Sequence, residues 1–268
     1  MFYHAQEGLV QLSQGTMEYI RFGTGRRTLV MLPGLGDSLR SMKGTAIPMA
    51  LMYRIFAREF TIYVFSRRKV LPNGYTTRDM ARDQAEAMDR LGISKADIFG
   101  VSMGGMIAQH LAIDYPQKVG KVILAVTAAR PNPLLEASVR EWVEFAQKGD
   151  HIGFMDSNLR RIYSETYCRK NRWMIPLLGK LTKPKSYDRF FTQANACLTH
   201  NTYASLNQIL SPTLVVGGVR DQILGGDASR EIADMITGAE LFMYPQWGHG
   251  LYEEASDFNR LVLDYLCK

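Results

Sequence analysis

Residues 99–105 read Phe-Gly-Val-Ser-Met-Gly-Gly, setting one serine among glycines directly behind an apolar run. A serine hydroxyl is a weak nucleophile at neutral pH and attacks a carbonyl only when a base takes its proton. The same serine could instead begin an ordinary helix, its side chain satisfying an orphan backbone N–H. The choice depends on whether the chain also carries a base, an acid and oxyanion donors in matching places.

Five histidines are candidates for the base. His110 falls two turns into the helix that would start at Ser102, pointing away from it; His4 precedes the first strand; His151 and His200 lie in a helical middle stretch. His249 differs, because Gln-Trp-Gly-His-Gly is a glycine-flanked loop following an apolar run, where an imidazole has free access. An acid should orient that imidazole from another strand end. Asp221 lies just past the run Pro-Thr-Leu-Val-Val-Gly-Gly, whereas Asp227 reads better as a turn or cap residue. Oxyanion donors are expected from the N–H of Met103, next to the serine, and of Leu35, between Gly34 and Gly36. Losing one such donor typically costs about 3 kcal/mol in the transition state.

These residues need elements to position them. Alternating polarity predicts strands at Glu-Gly-Leu-Val-Gln-Leu-Ser and Met-Glu-Tyr-Ile-Arg-Phe-Gly, with a turn between. Continuous apolar runs follow at Thr28–Leu32 and Phe60–Ser66, then at residues 96–102, 121–128, 212–218 and 239–245, as expected for strands buried on both faces. Amphipathic helices separate them, one opening at Thr76 or Thr77 with Gly92 after its end, another running from Met103 until Pro116 closes it. From about Pro131 helices occur without strands. The expected fold class is therefore α/β: a mostly parallel sheet of the eight-stranded type with helices on both faces. Residues 1–129 and 211–268 would form the core, and 130–210 a helical cap inserted before the last two strands. Gly-Val-Ser-Met-Gly then falls at a strand–helix junction, where a strained turn leaves room only for glycines beside the serine.

Composition narrows the function. The chain is 46% hydrophobic and 22% charged, which excludes disordered and fibrous classes. No apolar run approaches the roughly 20 residues of a membrane helix, and the N-terminus lacks a signal-peptide pattern. Cys168, Cys197 and Cys267 are sparse, without Cys-x-x-Cys spacing, which suits a reducing, cytoplasmic compartment and gives no metal site. The net charge of +6 is concentrated between Arg130 and Ser205, with 12 Lys and Arg against seven Asp and Glu. That excess could attract an anionic substrate but reads first as a solvated helical surface. No motif indicates nucleic-acid binding.

With Leu-Pro-Gly-Leu-Gly-Asp-Ser, Gly-Val-Ser-Met-Gly-Gly, Pro-Thr-Leu-Val-Val-Gly-Gly-Val-Arg-Asp and Gln-Trp-Gly-His-Gly in hand, the chain resembles the α/β-hydrolase fold superfamily from about Glu18 to Leu266. It is most similar to the small cofactor-free branch of esterases, lactonases and carbon–carbon bond hydrolases. The order Ser102, Asp221, His249 is the one the resemblance implies. One departure is Pro33-Gly34, where many relatives carry His-Gly. The resemblance implies acyl transfer to water from a small ester, lactone or thioester, without metal or organic cofactor. A carbon–carbon hydrolase, a lyase, an acyltransferase or a non-catalytic ligand sensor would use the same residues. A dinucleotide-binding, NADP-dependent oxidoreductase is the remote alternative, since Leu39 stands where the third glycine of Gly-x-Gly-x-x-Gly is needed.

Substrate contacts are less legible. Trp142, Phe145, Phe154, Trp173, Phe190 and Phe191 of the middle segment are candidates for an apolar pocket wall, though each could equally pack the cap on the core. His200 and the arginines of that segment are weaker candidates for reading a substrate carboxylate. Arg67 and Arg68 read as a polar loop near the pocket mouth.

Overall fold

Alternating polarity makes β1 (Gln6–Leu12) and β2 (Gly15–Phe22) an antiparallel hairpin, with Val10 and Leu12 turned inward. In the computed structural model, which describes residues 2–268, this hairpin edges an eight-stranded sheet of order β1-β2-β4-β3-β5-β6-β7-β8. The other strands are β3 (Arg27–Leu32), β4 (Phe60–Arg68), β5 (Ala96–Val101), β6 (Val119–Ala125), β7 (Thr213–Gly218) and β8 (Glu240–Tyr244). β3 to β8 pair in parallel; only the two pairings of β2 are antiparallel. Parallel neighbours require crossovers, and helices supply them on both faces.

α1 (Ala46–Met52) and α11 (Phe258–Cys267) cover one face, where Ala50 and Val262 join Leu29, Ile62 and Phe99 in one core layer. α2 (Thr77–Arg90), α3 (Met103–Asp114) and α9 (Gly226–Met235) cover the other, where Met80, Ile107 and Ile232 pack with Val30, Ile98 and Val215. α2 starts where the sequence indicates: Thr76 and Asp79 exchange side-chain-to-backbone bonds in a capping box. Gly92 after its end sits at φ +70°, a conformation few other residues adopt cheaply.

Between β6 and β7 run α4 (Pro133–Gln147), α5 (His151–Ile162), α6 (Glu165–Asn171), α7 (Ile175–Leu181) and α8 (Asp188–Leu198). The stretch Phe154–Tyr167 is divided between α5 and α6. The chain extends at Tyr163 and Ser164, and the Ser164 side chain caps α6 by accepting from the Tyr167 N–H. α1, α7 and the short α10 (Leu251–Glu254) have no counterpart in the sequence reading. Pro48 and Pro176 mask the first two, although a proline in a first helical turn forfeits no intrahelical bond. No helix among the described residues is long and apolar enough to cross a membrane.

Candidate active site

Ser102 follows the last residue of β5 and precedes the first of α3. Its φ of +53° is left-handed, a costly conformation for a side-chain-bearing residue, of order 1–3 kcal/mol. The surroundings impose it. The Ser102 N–H donates to Ala125 of β6, and its carbonyl accepts from the Thr127 hydroxyl at 2.7 Å. The flanking glycines admit nothing larger. A Cβ on Gly104 would lie 1.8 Å from the Leu32 carbonyl oxygen, and one on Gly100 2.5 Å from the Gly104 oxygen. The tight turn lifts the Ser102 side chain above the carboxyl ends of the strands, at the start of a helix whose dipole favours negative charge.

Asp221 lies three residues past β7, buried, and both its carboxylate oxygens are engaged. Oδ1 accepts from the N–H groups of Ile223 and Leu224 at 2.8 and 2.9 Å, which fixes the carboxylate plane. Oδ2 lies 2.8 Å from Nδ1 of His249. An ionised carboxylate only accepts, so Nδ1 carries the proton and Nε2 keeps a free lone pair. Nε2 is 3.0 Å from Oγ of Ser102, within reach to accept the hydroxyl proton. The three side chains named from the sequence thus meet in one hydrogen-bonded chain, drawn from the ends of β5, β7 and β8.

The loop of His249 is held from two sides. Arg220 N–H donates to the Trp247 carbonyl, and Gly250 N–H donates to Ile162 at the end of α5 at 2.7 Å. A Cβ on Gly218 would strike the Trp247 carbonyl oxygen at 2.5 Å, so this glycine at the end of β7 lets the histidine loop close over that strand. Across the serine, the chain after β3 passes at van der Waals distance: a Cβ on Gly34 would lie 3.4 Å from that of Ser102. Leu35 is the residue after this glycine, and Met103 the residue after the serine.

The remaining expectations fare differently. Trp173 is 74% exposed, in the turn just ahead of α7, while α7 itself meets α5 where Gly179 lies against Ile152. Trp142 is buried between α4 and α5, its indole N–H donating to Ser157 Oγ at 3.2 Å. Phe154 stacks on His151 and meets Phe190 edge-on at 5.1 Å between centroids, inside the helical layer; Phe191 packs against Phe190 at 5.9 Å. Phe145 lies against Gly153 of α5. His200 is 1% exposed and its ring nitrogens already have partners. It is buried between α2 and α3, sharing hydrogen bonds with the hydroxyls of Thr77 (2.9 Å) and Thr202 (3.3 Å). Burial pushes its imidazole down to about 3, and His110 alongside adds to the effect.

Arg67 and Arg68 are not in a loop but are the last residues of β4, both buried. Arg68 pairs with Asp83 of α2 at 2.6 Å. Arg67 donates to the Pro33 carbonyl at 2.5 Å, one residue from the glycine facing Ser102. Asp37 stands 3.9 Å from Arg67 and 3.5 Å from Arg189 of α8. Sequence reasoning missed this cluster. The only available signal was a double arginine ending an apolar run, where a strand end in contact with a helix is as consistent as a loop.

A family model described as the alpha/beta hydrolase fold matches residues 27–161. A 2-hydroxy-6-oxononadienedioate/2-hydroxy-6-oxononatrienedioate hydrolase of Pseudomonas sp is 28% identical over 255 residues, spanning 88% of this chain and 90% of its own. Among solved structures, MGS-M2, an alpha/beta hydrolase enzyme from a Medee basin deep-sea metagenome library, superposes with a TM-score of 0.86 at 23% identity, covering 97% of this chain and 98% of that one. The enol-lactonase from Burkholderia xenovorans LB400 gives 0.82 at 22% identity, covering 97% and 100%.

Proposed function

The chain belongs to the alpha/beta hydrolase fold family, and on that premise we propose that it is a serine hydrolase of small ester-like substrates, meaning carboxylic esters, lactones or thioesters. One observation carries the reading. Ser102 Oγ lies 3.0 Å from His249 Nε2, whose other ring nitrogen lies 2.8 Å from Asp221. Similarity to proteins named as hydrolases, one of them an enol-lactonase, supports the reaction class.

His249 takes the Ser102 proton as Oγ attacks the substrate carbonyl, and Asp221 stabilises the imidazolium that forms. Negative charge develops on the carbonyl oxygen, and the N–H groups of Leu35 and Met103 receive it. The imidazolium returns its proton to the leaving oxygen or sulfur, which departs and leaves an acyl-enzyme. Water then attacks by the same route, with His249 again the base. Helices α4–α8, within residues 130–210, serve as the cap over this site, tied to it where Ile162 accepts from Gly250. The protein works on a small molecule in the cytoplasm in this reading, which its free cysteines suit.

Hydrolysis of p-nitrophenyl acetate and butyrate by wild type and Ser102→Ala tests this. Loss of about 10⁴-fold or more in kcat, with unchanged circular dichroism, is the expected result. Fluorophosphonate labelling of wild type at Ser102 would separate a working nucleophile from a ligand sensor. An inert, unlabelled wild-type protein would overturn the reading.

A further inference from the structure

Buried polar atoms in folded proteins nearly always find partners, so where several orphans collect, something is expected to occupy the gap. Three side chains beside the Pro33–Leu35 loop break that rule together. Arg67 is fully buried, yet its Nε and Nη1 have no hydrogen-bond partner. Gln193 of α8 is fully buried with both Nε2 and Oε1 unpartnered, and Nε of Arg189 is unpartnered as well. Of the eight orphaned buried side-chain atoms among the described residues, five belong to these three.

The three are neighbours. Arg189, Gln193 and Cys197 follow one another at four-residue intervals and so share one face of α8. Arg67 lies near both ends of that row: Asp37 is shared by Arg67 and Arg189, and the Arg67 charge also acts on the Cys197 thiol. Gln193 lies between. Charge is unbalanced here, with two guanidinium groups against the single carboxylate of Asp37. That carboxylate is already engaged, accepting from Ser66 Oγ at 2.9 Å. Arg189 remains one-quarter exposed, which leaves the cluster an opening.

We propose that Arg67, Arg189 and Gln193 form a carboxylate subsite of the Ser102 centre, making the substrate an ester, thioester or lactone with a carboxylate a few bonds from its scissile carbonyl. The donor set suits that group. The guanidinium of Arg67 keeps N–H groups free at Nε and Nη1, charge-assisted donors for carboxylate oxygens, and Gln193 adds an amide N–H. The location suits the acyl half of the substrate. Arg67 is bonded to Pro33, whose neighbour Gly34 faces Ser102. A buried cationic cluster fits the part that stays attached through both steps rather than the part that must leave. His200, buried elsewhere with its own hydroxyl partners, takes no part.

The inference rests on the serine-hydrolase reading, so its test has one arm that needs turnover and one that does not. In the first, wild-type kcat/KM is compared for mono-p-nitrophenyl glutarate and p-nitrophenyl butyrate. The expected preference for the half-acid is about tenfold or more, falling to near parity in Arg189→Gln and Gln193→Leu. In the second, calorimetry compares monomethyl and dimethyl glutarate binding to the Ser102→Ala protein. The half-acid is expected to bind at least tenfold more tightly, an advantage lost on adding Arg189→Gln. Arg67→Gln would repeat the loss but, being fully buried, needs its fold checked first. Equal binding of the two glutarates, or a preference that survives both α8 substitutions, would overturn the subsite. An enzyme that turns over both p-nitrophenyl esters equally would lose the subsite and keep its nucleophile. One that binds the half-acid selectively but hydrolyses nothing would do the reverse.

Discussion

Ser102 is held in a backbone conformation it would not choose, and the glycines around it are what allow this. The strictest is Gly104, where an added Cβ would sit well inside the Leu32 carbonyl oxygen. That oxygen belongs to β3, so relief would require shifting a central strand against the first turn of α3. Gly104→Ala is expected to cost about 3 kcal/mol or more, the upper range for overpacking, and to remove hydrolysis with it. Urea denaturation together with ester turnover would check both. A stable Gly104→Ala protein with full activity would mean the turn is far more plastic than its geometry indicates. Gly36, by contrast, has open space around its Cα, so its replacement by Ala should leave stability unchanged.

Among the elements, short α10 does more than its four residues suggest. Glu254 at its end accepts from the Ser164 N–H at 2.9 Å and from the Ser164 hydroxyl at 2.5 Å, so the cap of α6 is tied to the histidine loop. Tyr163 adds a bond to Glu253 at 2.7 Å, and Gly250, next to His249, is bonded to α5. Movement of the α5–α6 junction therefore reaches the imidazole through two residues. Glu254→Ala leaves both Ser164 donors without this acceptor, at an expected cost of about 1–3 kcal/mol in stability. It should also reduce kcat on a short ester several-fold, since His249 loses positional restraint; steady-state kinetics would show this as a change in kcat rather than KM. Helix boundaries in this region were legible only in part. Thr76 announces α2 through its side-chain cap. The split at Tyr163 was not announced, because Ser164 looks like any polar residue until Glu254, ninety positions later, comes to meet it.

For the whole molecule, one buried network bears on acid stability. His200 joins Thr77 of α2 and Thr202 after α8, and Thr202 also bonds Gln109 of α3, so the segment returning to β7 is fastened to the sheet's helices. Burial holds His200 down to about 3 and His110 to about 4. An unfolded histidine titrates near 6.5. Below that pH the unfolded chain binds protons that the folded one refuses. This part of the stability is therefore complete above about pH 6.5 and is lost progressively as the pH falls towards 3. Melting temperature should drop steadily from pH 7 to pH 5 in wild type. His200→Asn should start lower at pH 7 but fall less steeply over the same interval. Parallel slopes for the two proteins would show that His200 is not the group responsible.

By itself the sequence determined the alternation of strands and helices. It also determined that Ser102, Asp221 and His249 each follow a strand end, because strand runs, capping residues and glycine turns are local patterns that need no distant partner. The strained serine could be anticipated from Gly100 and Gly104 for the same reason. Only the tertiary structure decided which side chains of the middle segment face inward, leaving Trp173 in solvent and Trp142 buried. Only it turned Arg67 from a loop residue into a buried strand end beside Arg189, 122 positions away. The physical reason is that burial and charge compensation are set by whatever the chain later folds on top of a residue. A helix such as α8 carries no mark of which strand end it will cover.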